Sequence, residues 1–137
     1  MSNQPLRLIG YVRISRPDEE SQNQEYNILK HATQHGYQVI DIIVDVESGA
    51  TEIDKREGGK KLLTYLSSNE VDGVIVYALD RIARSLTQLY MFVQLIEKNN
   101  KVLISVREPW LNTLDPSIRK LIISILGWVA EFERRLI

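Results

Sequence analysis

Apolar residues gather in four short runs, and a stretch of helical spacing follows each one. Leu8, Ile9, Tyr11, Val12 and Ile14 make the first run. A run this short and nearly continuous fits a strand buried on both faces, spanning roughly Arg7 to Ile14. Pro17 then stops regular pairing. A helix is expected from about Ser21, with Ile28, Leu29 and Ala32 inward and Gly36 as its C-terminal stop. Gln24 lies on the row of Ile28 and Ala32. It either completes a capping box with Ser21 or points inward at the end of the first strand. Gln38 to Val44 reads as the second strand, ending at Asp45. A long polar loop follows, turning at Ser48-Gly49. The next helix, about Glu57 to Ser68, turns Leu62, Leu63 and Leu66 inward. Lys60 and Lys61 in its first turns oppose the helix dipole unless an anion is near. Val71 to Tyr77 is the third strand. Ser85 and Gln88 have capping-box spacing at the start of a helix to about Lys98, whose stripe is Leu86, Leu89, Phe92, Val93 and Ile96. Val102 to Val106 is the fourth strand. The loop from Arg107 to Leu114, with Pro109 and Trp110, is expected to be mobile.

The last segment has a different pattern. Asp115 reads as a cap and Pro116 as the first helical residue, opening a helix to about residue 137, or ~33 Å. Ile118, Leu121, Ile122, Ile125, Leu126, Val129, Phe132 and Leu136 form one stripe. Ile123, Trp128 and Ala130 add apolar surface elsewhere. A helix apolar nearly all round must be covered on more than one side. The pattern predicts a subunit interface carried by Leu121, Ile122, Ile125, Trp128, Val129 and Phe132. The rival reading is a helix buried deep within its own domain. Strand and helix alternate throughout, with no internal repeat. That order predicts an α/β fold: a mostly parallel central sheet of four or five strands, helices on both faces, and a long C-terminal oligomerisation helix.

Composition narrows the picture. With 137 residues, 44% hydrophobic and 26% charged, the chain suits one soluble domain, residues 1–137, with Met1 to Pro5 frayed. It has no cysteine, which removes disulfides and thiolate metal sites. His31 and His35 lack a metalloprotease partner and read as helix-surface residues, so no metal and no cofactor are expected. No run approaches ~18 apolar residues and no leader pattern opens the chain, so a cytoplasmic protein without a membrane partner is expected. A module holding DNA alone usually carries a positive excess. The net charge here is -1, so a nucleic-acid role must rest on local clusters or on another domain.

The polar residues at strand ends carry the candidate chemistry. Side chains alternate along a strand, so Tyr11, Arg13 and Ser15 share a side. Parallel strands bring their carboxyl ends to one sheet edge, where open α/β sheets place ligands. That edge would gather Arg13 and Ser15, then Asp45 and Ser48, then Asp80, Arg81 and Arg84. Arg81 and Arg84 share a face if that stretch is helical. Guanidiniums bind phosphate bidentately and stay charged. A hydroxyl beside them can attack phosphorus, and fixed arginines stabilise the charge that develops. Asp80 could orient an arginine. No histidine is placed as a base and no acidic cluster suits two metals. The set points to metal-independent phosphoryl transfer with a serine nucleophile.

These residues resemble the serine recombinases of the resolvase and invertase family. Tyr11-Val-Arg13-Ile-Ser15 resembles the family's strand ending in the nucleophile, and Gln24 its glutamine on the next helix. Asp45-x-x-Ser48-Gly49 resembles the second motif and Leu79-Asp80-Arg81-Ile-Ala-Arg84-Ser85 the third. Ala130-Glu131-Phe132-Glu133-Arg134 resembles the long terminal helix. The resemblance implies a catalytic domain that cuts and rejoins double-stranded DNA, with no small-molecule substrate. Ser15 would attack a backbone phosphate, leaving a 5′-phosphoseryl link and a free 3′-hydroxyl, while Arg13, Arg81 and Arg84 grip that phosphate. Tyr11, Gln24, Asp45, Ser48 and Arg56 would support the site or bind DNA phosphate. It also implies homodimers that pair into a synaptic tetramer and exchange strands by rotation across a flat apolar interface. The family's arginine after the Ser-Gly turn comes late here, as Arg56 beside Lys55, and either could be the phosphate contact. The family's helix continues toward a DNA-binding domain. This sequence reaches Ile137 with no convincing helix-turn-helix and no basic tail, so a truncated or isolated catalytic domain is expected. Two rivals remain. One is a catalytically silent DNA-binding or assembly partner. The other is a doubly wound signalling module with Asp45 as phospho-acceptor and Asp18, Glu19 and Glu20 as its nearby acids.

Overall fold

The computed structural model describes residues 4–18, 21–112 and 115–135. The expected frayed start at residues 1–3, Glu19, Glu20, the loop end at 113 and 114, and the helix end at Leu136 and Ile137 lie outside the described residues. So does the side chain of Arg134.

Four parallel strands form one sheet: β1 (Arg7–Ile14), β2 (Gln38–Val46), β3 (Gly73–Val76) and β4 (Val102–Ser105), in spatial order β2-β1-β3-β4. The helices are α1 (Gln22–His35), α2 (Glu57–Leu66), α3 (Leu86–Lys98) and α4 (Pro116–Arg135). β1 has the span that its apolar run predicts, and Leu8, Ile9, Tyr11 and Val12 are fully buried. α2 stops at Leu66, short of the expected Ser68. β2 runs on to Val46, two residues past the expected Val44, because Arg13 and Ile14 extend the pairing to Asp45 and Val46.

Helices cover both faces, unequally. Ile28 of α1 packs with Leu8, Val12, Ile14, Ile75 and Ile104 on one side. On the other, Leu62 and Leu66 of α2 and Phe92 and Ile96 of α3 pack with Ile9, Tyr11, Val74 and Val76. Strand connections diverge at β1 and β3, so the crevice above their carboxyl ends is the topological switch point.

Local signals act much as the sequence suggests. Gly36 takes the left-handed conformation (φ 71°) that closes α1. Ser85 accepts the Gln88 N–H at 3.1 Å and caps α3, but the Gln88 side chain reaches out to the Ala50 carbonyl, so the reciprocal half of the box is not made. The Asp115 carboxylate accepts the Ser117 N–H at 2.8 Å at the head of α4. Lys61 has its anion, Asp41, at 3.4 Å. The Pro109–Trp110 loop, expected to be mobile, contains a 3-10 turn, Pro109–Asn112.

α4 packs against α3, which divides its apolar surface in two. Ala130 is buried, and Ile122, Ile123 and Leu126 line a cavity of about 160 Å³ against α3 and Trp110. Ile118, Leu121, Ile125, Trp128 and Phe132 point to solvent, each about half or more exposed. Ile122 therefore belongs to the inner face rather than to the expected interface, and Val129 is half-buried. The single stripe read from the sequence merged these two faces.

Candidate active site

The carboxyl end of β1 holds a charged core. Arg13 is 2% exposed and Arg56 is fully buried. Burying a guanidinium without partners is very costly, and both are richly bonded. Arg13 donates from Nε to the Arg81 carbonyl (3.2 Å), from Nη2 to the Asp80 carbonyl (3.1 Å), and from Nη1 to the Glu47 carbonyl (3.1 Å) and Ser15 Oγ (3.3 Å). Burial, then the neighbouring charges of Arg81, Arg56 and Arg84, push its pKa below the ordinary arginine value. Arg56 donates from Nη1 to the Arg81 carbonyl and to Tyr11 Oη, both at 3.0 Å, from Nη2 to the Ile82 carbonyl (2.7 Å), and from Nε to the Thr51 carbonyl (3.0 Å). Two guanidiniums thus converge on one carbonyl. They hold the 3-10 turn Leu79–Arg81 at the end of β3 against the end of β1.

Tyr11 and Asp45 complete the buried network. Tyr11 Oη donates to Asp45 Oδ2 at 2.6 Å, and Asp45 Oδ1 accepts the Gly58 N–H at 2.6 Å. A Cβ on Gly58 would stand 2.6 Å from that carboxylate oxygen, so only glycine lets the start of α2 come so near. Burial, followed by the bond to Asp45, raises the Tyr11 pKa far above the ordinary tyrosine value.

Gln24 takes the inward option. Its Nε2 donates to the Arg13 carbonyl (2.9 Å) and its Oε1 accepts the Arg13 N–H (3.4 Å). The capping box is not formed: Ser21 makes no side-chain cap and donates to Glu25 instead (2.8 Å). α1 covers the end of β1, and Gln24 is the side chain that reaches its backbone there.

Ser15 is exposed, one residue past β1. Arg81 is half-buried; its Nη1 donates to the Arg13 carbonyl (3.3 Å) and its Nε lies 3.4 Å from Asp80 Oδ1. Arg84 is exposed and lies beyond the 3-10 turn, so it does not share a helical face with Arg81. Its side chain lies against buried Gly49, where a Cβ would stand 2.7 Å from Arg84 Cγ. Ser48 is exposed and its Oγ accepts the Ala50 N–H (3.1 Å), shaping the turn. Lys55 is exposed while Arg56 is buried, with donors turned to three carbonyls and the Tyr11 hydroxyl. Arg56 is therefore a strut of the site, and of the two residues that could contact phosphate Lys55 is the exposed one. The edge gathers Arg13, Ser15, Asp45, Asp80 and Arg81 as the topology predicts. Sequence reasoning missed Glu108, whose Oε1 accepts the Leu79 N–H (2.9 Å) and the Ser105 hydroxyl (2.7 Å), pinning the same turn from β4. Its only local signal was a carboxylate just past a strand end.

A serine beside fixed guanidiniums thus stands at the switch point of a parallel α/β sheet, where such folds place ligands. Residues 8–137 match the family model for the resolvase N-terminal domain. The Tn501 transposon resolvase of Pseudomonas aeruginosa is 32% identical over 130 residues, covering 94% of this chain and 63% of that protein. The DNA-invertase of Escherichia phage P1 is 32% identical, with 95% and 63% covered. The solved N-terminal catalytic domain of TP901-1 integrase superposes with a TM-score of 0.80 at 31% identity, covering 95% of this chain and 98% of that one. The chain belongs to the resolvase N-terminal domain family, and it spans about 63% of the length of the curated resolvases it matches.

Proposed function

We propose that this chain is the catalytic domain of a site-specific DNA recombinase and that Ser15 is its nucleophile. One observation carries the reading. Ser15 Oγ stands exposed at the end of a buried strand, 3.3 Å from a guanidinium that is itself fixed by three carbonyls. In the reaction, Ser15 Oγ forms a bond to a backbone phosphorus as the bond from phosphorus to the 3′-oxygen breaks. The serine proton departs, the 3′-oxygen takes up a proton, and a 5′-phosphoseryl link remains. Religation reverses these steps with a 3′-hydroxyl from another strand end and frees Ser15. The link conserves the bond energy, so no external energy source is required. Arg13, Arg81 and Arg84 supply positive charge at the phosphate, with Asp80 orienting Arg81. Tyr11, Asp45, Gln24 and Arg56 hold those groups in place, and Ser48 shapes the turn against which Arg84 lies.

The outer face of α4 completes the proposal as the surface on which copies dimerise and dimers pair for exchange. Among the described residues no helix is long and apolar enough to cross a membrane. The signalling alternative is disfavoured, since Asp45 is 4% exposed and both its oxygens are bonded.

The test uses the gene's full-length product on supercoiled DNA carrying its flanking sequences, quenched with denaturant. A covalent adduct mapped to Ser15 by mass spectrometry is expected, and Ser15→Ala should abolish it with folding unchanged. Repeated failure on DNA that the protein binds and synapses would favour a catalytically silent assembly partner instead.

A further inference from the structure

The ends of β3 and β4 flank a cleft of about 240 Å³ lined by Tyr77, Ala78, Asp80, Arg81, Arg107 and Glu108. It shares Arg81 and Asp80 with the site of Ser15 but opens on the β4 side. One oxygen of each of its carboxylates is already engaged. Glu108 Oε1 accepts the Leu79 N–H and the Ser105 hydroxyl, and Asp80 is paired with Arg81. Its guanidiniums are engaged only in part: Arg81 Nη1 donates to the Arg13 carbonyl and Arg107 Nη1 to the Tyr77 hydroxyl, both at 3.3 Å. Arg81 Nε is buried and makes no hydrogen bond, despite the 3.4 Å ion pair with Asp80.

Arg107 is exposed but not loose. Its backbone N–H donates to the Tyr77 carbonyl (2.9 Å), which fixes the end of β4 beside that of β3. Its guanidinium carbon lies 5.8 Å from the centre of the Tyr77 ring, and Nη1 donates to the Tyr77 hydroxyl (3.3 Å). A stacked arginine has lost part of its rotamer freedom beforehand, so engaging an anion costs less. Arg13 and Arg56 each make four side-chain hydrogen bonds within the protein, whereas Arg81 and Arg107 each make one among the described residues. An acceptor here must be anionic, small enough for the cleft, and able to meet two guanidiniums.

We propose that this cleft is a second phosphate subsite, in which Arg81 and Arg107 grip a DNA backbone phosphodiester next to the one that Ser15 attacks. The assignment rests on the recombinase reading and adds to it a residue and a contact.

The test titrates the ¹⁵N-labelled chain with thymidylyl-(3′→5′)-thymidine, whose only charge is one phosphodiester, and follows the arginine Nε–H signals. The Arg81 and Arg107 signals should move together and saturate with one constant. Arg107→Ala should weaken that constant at least fivefold, and Arg107→Gln nearly as much. On a non-specific duplex, Arg107→Ala should lower the slope of log affinity against log salt by about 0.9, one phosphate contact. An unmoved Arg107 signal at saturation, or an Arg107→Ala chain with wild-type dinucleotide affinity, overturns the subsite. Ser15→Ala should leave the titration unchanged. Coupled shifts in a protein that never forms the Ser15 adduct would therefore sink the nucleophile and keep the subsite. An adduct without the shifts would do the reverse.

Discussion

The end of β1 and the outer face of α4 break the ordinary inside-outside rule in opposite senses. At β1, Arg13, Arg56 and Asp45 are charged side chains at 4% exposure or less. On α4, Leu121, Ile125, Trp128 and Phe132 are large apolar side chains at 50% or more. The first violation is resolved within the chain, because donors meet carbonyls, a phenol and a carboxylate at hydrogen-bonding distance. The second has no resolution among the described residues; Trp128 and Phe132 merely stack on each other, with ring centres 5.8 Å apart. A satisfied buried network costs little once formed and is rigid. An uncovered apolar stripe gains only when another surface arrives. The polar network is thus complete within one chain, while the apolar face is left uncovered.

The comparison breaks most visibly at Arg56. Arg56→Ala would take the donor from the Thr51 and Ile82 carbonyls, and one of two partners from the Arg81 carbonyl and the Tyr11 hydroxyl. We expect a loss of about 4 kcal/mol, read from the urea midpoint. Arg56→Lys should recover little of it, since an ammonium cannot reach a fork of separate acceptors. A smaller effect is expected for Tyr11→Phe, about 1–3 kcal/mol, because Asp45 keeps Gly58 but loses the hydroxyl.

Alkaline titration sharpens that second prediction. The Tyr11 pKa is raised in the fold, so between the ordinary tyrosine value of about 10 and the folded value the native state holds a proton that the unfolded chain has lost. The stability from the neutral phenol is full below about pH 10 and falls as pH rises beyond it. Tyr11→Phe should flatten this alkaline fall in a melting series. An unchanged fall would mean that Tyr11 ionises freely and the network is looser than its distances.

How much of this was legible follows the same division. The β1 run, the strand and helix alternation and the gathering of polar strand ends follow from periodicity alone, because burial on a parallel sheet imposes it. Arg56 could not be read as a strut. Three of its four partners are backbone carbonyls scattered from Thr51 to Ile82, and carbonyls leave no mark on a sequence. Gln24 had two readings of equal local merit, and tertiary approach of α1 to β1 decided between them. Glu108 was hidden in a related way, because the contact that ties it to the site is the distant Leu79 N–H, another backbone group. On α4, apolar spacing showed that more than one side must be covered, but only the position of α3 tells which residues are already spent.

The outer face tests the other half of the comparison. Trp128→Glu or Ile125→Glu should change the melting of a monomer by no more than about 0.5 kcal/mol, as exposed substitutions do. Both should shift sedimentation toward monomer. Ile122→Glu should instead destabilise the monomer itself, because it enters the cavity against α3. Equal sedimentation of Trp128→Glu, Ile125→Glu and wild type would leave the outer face without its partner.

The smallest stability change should come from Gly49→Ala, and its effect on cleavage tells whether Arg84 works where it lies. A new Cβ would sit 2.7 Å from Arg84 Cγ and 2.8 Å from its Nε. Gly49 has no left-handed backbone, so the turn itself accepts alanine. What must yield is an exposed, flexible side chain, which costs the fold less than about 0.5 kcal/mol. If Arg84 grips phosphate from its place over Gly49, cleavage should fall severalfold while melting is unchanged. If cleavage is also unchanged, Arg84 reaches the phosphate from elsewhere, and the turn at Ser48-Gly49 does not position it.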